Sequence, residues 1–348
     1  MSMNDSHDFF IQWHLTDRCN LRCRHCYQQG GTADEMSLSE IGSVAGEVEE
    51  TLKIWADAYD ISFTPSFNIT GGEPFLRKDI FEILAELTER GFEIYLLSNG
   101  TLIDGKKARR LSELATKGVQ ISMEGPEHIH DAIRGRGSYS ASVKGISRLL
   151  DAGVKVTMNV TLSGLNVAFF RELVALASSL GVQRLGFSRL VPSGRGAGLL
   201  NSMLGKEDVR SAYAEIFSLS AGQVEIVTGD PVAAQMSVPP GEGDAGGFPG
   251  GGCAAGVSGL TFLPDGTIIP CRRLHVPVGN ILKDSLREVW ATSGVLEALR
   301  DRKRYGGKCG TCSRWADCRG CRAIAYAYSQ SGGGEDFLCE DPQCFIRD

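Results

Sequence analysis

Cys19, Cys23 and Cys26 fall in the run Thr16-Asp-Arg-Cys-Asn-Leu-Arg-Cys-Arg-His-Cys-Tyr27, a C-x3-C-x2-C spacing directly behind a short apolar segment. Three thiolates this close suit an iron–sulfur cubane, in which each iron takes one external ligand. Three ligands for four irons leave one iron open, and an open metal position is where chemistry happens. Tetrahedral zinc and a disulfide cluster are the plainer alternatives. Structural zinc wants four closed ligands, usually from paired C-x2-C units, so His25 would have to be the fourth.

The other eight cysteines are Cys253, Cys271, Cys309, Cys312, Cys318, Cys321, Cys339 and Cys344, and none lies between Cys26 and Cys253. Two metal-binding regions therefore flank a cysteine-free stretch. Eleven cysteines in a protein expected in the reducing cytoplasm need a reason other than disulfides. Cys309-x2-Cys312 and Cys318-x2-Cys321 are also compatible with a pair of zinc sites.

The elements between these regions alternate strand and helix patterns. Strands are expected over 10–15, 67–70, 92–97, 119–124, 154–162 and 182–190, with helices over 38–55, 80–90, 105–117, 140–152 and 168–180. Ser37 reads as the N-cap of the first helix and Gly91 as a C-cap. The repetition predicts an α/β fold with a parallel sheet and right-handed crossovers. Six β/α steps are too few for a closed eight-fold barrel. In such sheets the site forms at the C-terminal strand ends, where the cysteine loop, Gly71-Gly72-Glu73, Ser98-Asn99, Ser122, Glu124, Asn159 and Arg189 all fall. A helix over 206–219 and a glycine-rich loop over 239–252 follow. A hairpin turns at Pro264-Asp265-Gly266, and helices over 285–292 and 295–302 precede the dense cysteines.

The cysteine loop closely resembles that of the radical S-adenosylmethionine (AdoMet) enzymes. The resemblance implies a partial (β/α)6 TIM-like barrel in residues 1–195, a helical and glycine-rich linker in 196–252, and a small cysteine-rich domain in 253–348. Cys309-x2-Cys312-x5-Cys318-x2-Cys321, with Cys253 and Gly266-x4-Cys271 before it and Cys344 after it, resembles a SPASM domain, which houses two auxiliary 4Fe–4S clusters. The usual pattern has one more residue between the last two cysteines of the central motif. By the family's crossed arrangement Cys253, Cys271 and Cys321 would serve the nearer cluster, and Cys309, Cys312, Cys318 and Cys344 the farther one. Cys339 is left to complete the nearer cluster, to replace Cys344, or to stand spare. The implied cofactors are thus AdoMet and three 4Fe–4S clusters.

Gly71-Gly72-Glu73-Pro74 matches the family's Gly-Gly-Glu motif, expected at the methionyl amine of AdoMet. Glycines admit close backbone approach, and a carboxylate suits a cationic amine. Ser98, Asn99, Ser122, Glu124, Arg134 and Asn159 are the further candidates for the ribose and carboxylate, with Tyr27 on the adenine side; each is also compatible with an ordinary strand-end, turn or core role. The implied reaction passes one electron to the open-iron cluster, cleaves AdoMet to methionine and a 5′-deoxyadenosyl radical, and takes hydrogen from a substrate. The catalytic acid or base is not identifiable. In sulfatase-maturing relatives a carboxylate after an auxiliary cysteine acts as base, whereas Arg272 and Arg273 follow Cys271 here.

The net charge of −6 gives no general attraction to nucleic acid or an anionic membrane. The polar N-terminus lacks a signal-peptide layout, and no apolar run approaches a membrane span. The substrate expected first is a ribosomally made precursor peptide that receives a thioether or carbon crosslink. The short segment before the first strand leaves the leader to the barrel itself or a separate leader-binding protein. A flavodoxin or ferredoxin is the expected reductant. The alternatives are a haem- or cofactor-pathway enzyme that decarboxylates or oxidises a small molecule, and a non-catalytic iron–sulfur electron carrier. Arg184, Arg189, Arg195, Arg272 and Arg273 are candidates to meet an acidic substrate, although scattered arginines usually face solvent.

Overall fold

The computed structural model describes residues 6–31, 34–219, 224–236 and 251–346. The expected glycine-rich loop over 239–252 lies outside them except for Gly251 and Gly252. The strands are β1 (Ser6–His14), β2 (Ser62–Thr70), β3 (Glu93–Ser98), β4 (Gly118–Ser122), β5 (Val156–Leu162), β6 (Arg184–Arg189), β7 (Glu225–Thr228), β8 (Gly259–Phe262), β9 (Thr267–Ile269) and β10 (Gly279–Asn280). They make one sheet in the order β10-β9-β8-β1-β2-β3-β4-β5-β6-β7. From β8 through β7 every pair is parallel, and only β9, in its pairs with β8 and β10, runs antiparallel. The six expected strands are all present. A seventh parallel strand, β7, extends them at one edge; its four residues are too short to display a period.

The helices are α1 (Leu38–Tyr59), α2 (Ile80–Glu89), α3 (Gly105–Glu113), α4 (Glu127–Arg134), α5 (Ser138–Asp151), α6 (Phe170–Leu180), α7 (Lys206–Ser218), α8 (Leu286–Thr292), α9 (Gly294–Arg300), α10 (Gly307–Thr311) and α11 (Arg322–Ser331). Three short helices, α4, α10 and α11, are not among those expected from spacing. At the start of α1 the Ser37 hydroxyl accepts from the Glu40 amide while Glu40 accepts from the Ser37 amide at 2.7 Å, a reciprocal cap. Ile41, Val44, Ala45, Val48 and Leu52 then recur at helical spacing and are buried.

Alternation along β1 divides its two faces. Phe9, Ile11 and Trp13 lie in the core under the helices, and the Phe9 ring meets Trp55 of α1 at 5.6 Å and Trp290 of α8 at 5.3 Å between centroids. Gln12 and His14 point to the other side. That inner, polar face is where the site is built. The C-terminal region is not a separate body hung on this frame, because β8 pairs with β1 along Phe10–Trp13.

Candidate active site

The cysteine loop is held from three sides. The Gly72 amide donates to the Thr16 carbonyl at 2.7 Å, and the Glu73 amide donates to the Arg18 carbonyl at 2.8 Å. A Cβ on Gly71 would stand 2.5 Å from the Thr16 carbonyl oxygen, and one on Gly72 would overlap the Arg18 carbonyl. The paired glycines thus let the end of β2 lie flush against the loop. On the opposite side the Gly196 amide donates to the Cys26 carbonyl at 3.0 Å and Arg195 Nε to the Cys23 carbonyl at 3.2 Å. Gly194, at φ 57°, packs on the Tyr27 carbonyl. The segment after β6, which carries no chemical motif, is therefore a brace for the cysteine loop. From the end of α4 the Ile133 carbonyl accepts from the Arg24 amide at 2.8 Å.

Cys19, Cys23 and Cys26 line a cavity of about 610 Å³ at the C-terminal strand ends. Tyr27, Gly71, Gly72, Ser98, Asn99, Ser122, Arg134 and Asn159 line the same cavity. Glu73 and Glu124 do not. Both carboxylates are fully buried behind the wall. Glu73 accepts from the Ser98 hydroxyl at 2.9 Å, the Asn99 amide at 2.9 Å and the Phe75 amide at 3.3 Å, so it orients the turn after β3. Burial raises its pKa to about 7, with the Asn99 and Ser98 bonds pulling the other way. Glu124 accepts from Arg134 at 2.6 Å and from the Thr161 amide at 3.0 Å, and it stands 3.2 Å from His25 Nε2. Burial alone would raise the Glu124 pKa, but Arg134 and His25 outweigh it and hold the carboxyl well below the usual range.

Gln120 and Thr161 also line the cavity, each two residues from an expected one: Gln120 with Ser122, and Thr161 with Asn159, form two-residue repeats at the ends of β4 and β5. Period-two alternation at successive strand ends is the signal that would find them. His14 is buried and meets Gln28 Nε2 at 2.9 Å and the Tyr27 hydroxyl at 3.4 Å. Burial, reinforced by Arg272 and His275, lowers its pKa to about 3, so a neutral imidazole positions Tyr27.

All eleven cysteines are free thiols. Burial pushes the Cys19 thiol up to about 11, with the Leu21 amide pointing at its sulfur from 3.4 Å. Burial also raises Cys23, although Arg134 Nη1 stands 3.8 Å from that sulfur. A bound metal would supply the charge that favours the thiolate form these ligands need. Among the described residues no three His, Cys, Asp or Glu side chains converge on one point as ligands of a single ion do. A cubane takes each thiolate on a different iron and does not require that convergence. The donor set fits a cluster better than zinc.

A second cavity, of about 500 Å³, is lined by Cys309, Cys312, Cys318 and Cys344. Gln235 Nε2 is 3.6 Å from the Cys318 sulfur and 3.5 Å from that of Cys344. Cys339 is not part of this wall; its thiol donates to the carbonyls of Asp336 at 3.2 Å and Ala325 at 3.5 Å. Burial pushes Cys321 up to about 12, with Arg273 pulling it down and Cys253 raising it. Arg273 in turn feels both Cys321 and Cys271.

Arg189 is among the arginines expected to face solvent. It is fully buried instead, because two carboxylates neutralise it: Nε donates to Asp230 at 2.8 Å and Nη2 to Asp341 at 2.8 Å. Asp341 also accepts from the Cys321 amide at 2.8 Å. The pair ties the end of β6 to the cysteine-rich segment.

The sequence profile of the radical SAM superfamily matches residues 13–177, and that of an iron–sulfur cluster-binding domain, SPASM, matches 253–321. Full-length relatives include an AdoMet-dependent heme synthase of Methanosarcina barkeri, 30% identical over 97% of this chain and 96% of that protein. The mycofactocin maturase MftC of Mycobacterium tuberculosis is 30% identical over 94% of this chain and 82% of its own length. The chain belongs to the radical SAM superfamily. Its fold matches that of Streptococcus suis SuiB bound to S-adenosylmethionine with a TM-score of 0.77 at 15% identity, over 98% of this chain and 78% of SuiB. This radical SAM protein is an enzyme that binds AdoMet and iron–sulfur clusters, which removes the electron-carrier alternative. The SPASM match ends at Cys321, whereas the second cavity also draws in Cys344. No helix among the described residues is long and apolar enough to cross a membrane.

Proposed function

We propose that this enzyme acts on a ribosomally made precursor peptide and installs a thioether or carbon–carbon crosslink. The observation that carries this reading is the cavity at the barrel mouth. At about 610 Å³ it is the size that buries one drug-sized ligand. With AdoMet inside, the remaining space suits a side chain reaching in from a peptide held outside. The relationship to a mycofactocin maturase is in keeping with this.

A loaded cluster and AdoMet would supply the one-electron cleavage and the hydrogen-abstracting radical. The protein's own part is to hold and enclose them. Cys19, Cys23 and Cys26 would ligate that cluster. Gly71 and Gly72 keep the wall thin enough for close approach. Ser98, Asn99, Ser122, Arg134 and Asn159 offer polar contacts, and Tyr27, fixed by neutral His14, closes one side. Glu73 acts through the Ser98–Asn99 turn. Three clusters are the count we favour, with Cys253, Cys271 and Cys321 on the nearer auxiliary cluster, Cys309, Cys312, Cys318 and Cys344 on the farther one, and Cys339 on neither. A cytoplasmic setting, a flavodoxin or ferredoxin as reductant, and a separate leader-binding protein complete the reading.

A second reading rests on the heme synthases among the full-length relatives: oxidation or decarboxylation of a tetrapyrrole side chain. Anaerobic reconstitution followed by mass spectrometry separates the two. We expect about twelve irons per protein molecule, release of 5′-deoxyadenosine, and loss of hydrogen from a peptide encoded beside the gene. Conversion of a coproporphyrin-type substrate with the peptide unchanged would establish the second reading instead.

A further inference from the structure

Seven arginines line the cavity at the barrel mouth, against one carboxylate, Asp17. Three of them are answered by acids: Arg18 by Glu35, Arg134 by Glu124, and Arg189 by Asp230 and Asp341. Arg195 donates to the Cys23 and Gln29 carbonyls, and Arg22 is exposed. The remaining two stand next to each other after Cys271. Arg273 donates to the Arg189 carbonyl at 3.4 Å and lies in the field of the Cys321 and Cys271 thiols, with Asp230 beyond. Its charge therefore balances the auxiliary side.

Arg272 shares the Cys271 thiol with Arg273, and Tyr27 also acts on its charge, but it has no acid to answer it. It lines the cavity and, among the described residues, forms no ion pair with a carboxylate. A guanidinium is always charged at neutral pH, and a half-buried one beside a second guanidinium is costly to leave unpaired. Its position matters as much as its charge. Tyr27 belongs to the loop that carries Cys19, Cys23 and Cys26, and Cys271 belongs to the auxiliary region, so Arg272 stands in the cavity between the two.

We propose that Arg272 is a substrate-binding residue that takes a carboxylate of the substrate inside the cavity, holding it between the AdoMet side and the auxiliary cysteines. The inference rests on the reading of this cavity as the substrate side of the AdoMet site, and it narrows the substrate to an acid-bearing one. The carboxylate belongs either to an acidic side group or to the carboxyl end of a peptide. A planar, bidentate guanidinium recognises both equally well.

The test requires no knowledge of the substrate. The iron-loaded enzyme is labelled anaerobically with the arginine reagent phenylglyoxal, and adducts are mapped by mass spectrometry, with exposed Arg109 as internal control. N-acetylglutamate α-amide supplies only the glutamyl γ-carboxylate and N-acetylalanine only a terminal one; N-acetylalanine amide supplies neither. Ionic strength is matched with chloride. Labelling at Arg272 is expected to slow about tenfold with one of the two acids, the size of one charge-assisted bond, and not with the amide. Which acid protects identifies the source. Equal labelling with acid and amide would overturn the proposal, as would an Arg272 that never reacts. Protection by AdoMet alone would assign Arg272 to the AdoMet carboxylate instead. Because none of these readings depends on turnover, a failure of the precursor peptide to react would count against the proposed function and not against the carboxylate site.

Discussion

Among the described residues, two cavities lined by cysteines are built to different ends. The one at the barrel mouth has three cysteines, seven arginines and strand-end amides and hydroxyls, and it opens onto space for small molecules. The one in the C-terminal region has four cysteines on its wall and a glutamine aimed at two of their sulfurs. Three ligands leave a cubane with one open iron; four close it. The first arrangement suits bond-making chemistry and the second suits carrying charge. The buried Arg189–Asp341 pair joins them mechanically, since Asp341 also accepts from the Cys321 amide.

Breaking the open cavity has the largest expected effect. Replacing Cys19, Cys23 and Cys26 by Ala abolishes 5′-deoxyadenosine release, while iron analysis still finds the auxiliary iron. If release survived, the three-ligand cavity would not be the radical site. Replacing Cys309 and Cys312 by Ala instead lowers iron by about four atoms per protein molecule, with AdoMet cleavage retained. A loss of cleavage as severe as that of the first variant would erase the distinction between the two cavities.

The wall behind the open cavity comes next. Arg134→Gln leaves Glu124 buried without its guanidinium partner, His25 and the Thr161 amide remaining, and unfolding measurements should register a loss of up to about 3–5 kcal/mol. The double variant Arg134→Gln, Glu124→Gln should recover most of it. Gly72→Ala forces the wall off the Arg18 carbonyl, a change of about 1–3 kcal/mol, and should weaken AdoMet binding in a calorimetric titration.

The smallest effect is on pH. Burial, with Arg134 and His25 adding to it, lowers the His130 pKa to about 4, and burial likewise lowers His14 to about 3. Both are neutral in the fold and take up protons near 6.5 once unfolded. Their stabilisation is complete above about pH 6.5 and is lost as pH falls through about 6.5 toward 4. Glu73, raised to about 7 by burial, works in the opposite sense: its contribution is present at low pH and lost as pH rises through about 7. Without AdoMet the two contributions therefore oppose each other between about pH 4.5 and 7, and His130→Asn should lessen the fall in melting temperature as pH drops through that window. An unchanged acid dependence would mean that His130 is not buried neutral.

Much of this was legible in the sequence. The spacings around Cys19 and Cys309, and the Gly71-Gly72 pair, are local, and local spacing survives any arrangement of the rest. The apolar alternation on β1–β6 and the stripe on α1 marked the barrel for the same reason. Four-residue β7 and eight-residue α4 were too short for a period to register. Tertiary structure decided what spacing cannot express. It turned Glu73 and Glu124 from cavity residues into supports behind the wall, because their partners come from strands distant in sequence. It buried Arg189 against two acids, one of them at position 341. It separated Cys339 from Cys344, five residues apart yet in different surroundings, and gathered Cys344 with Cys309, Cys312 and Cys318. Residue types and intervals were enough to say which chemistry the protein supports. Which side group faces the cavity, and with what charge left over, depends on long-range pairing that only the fold supplies.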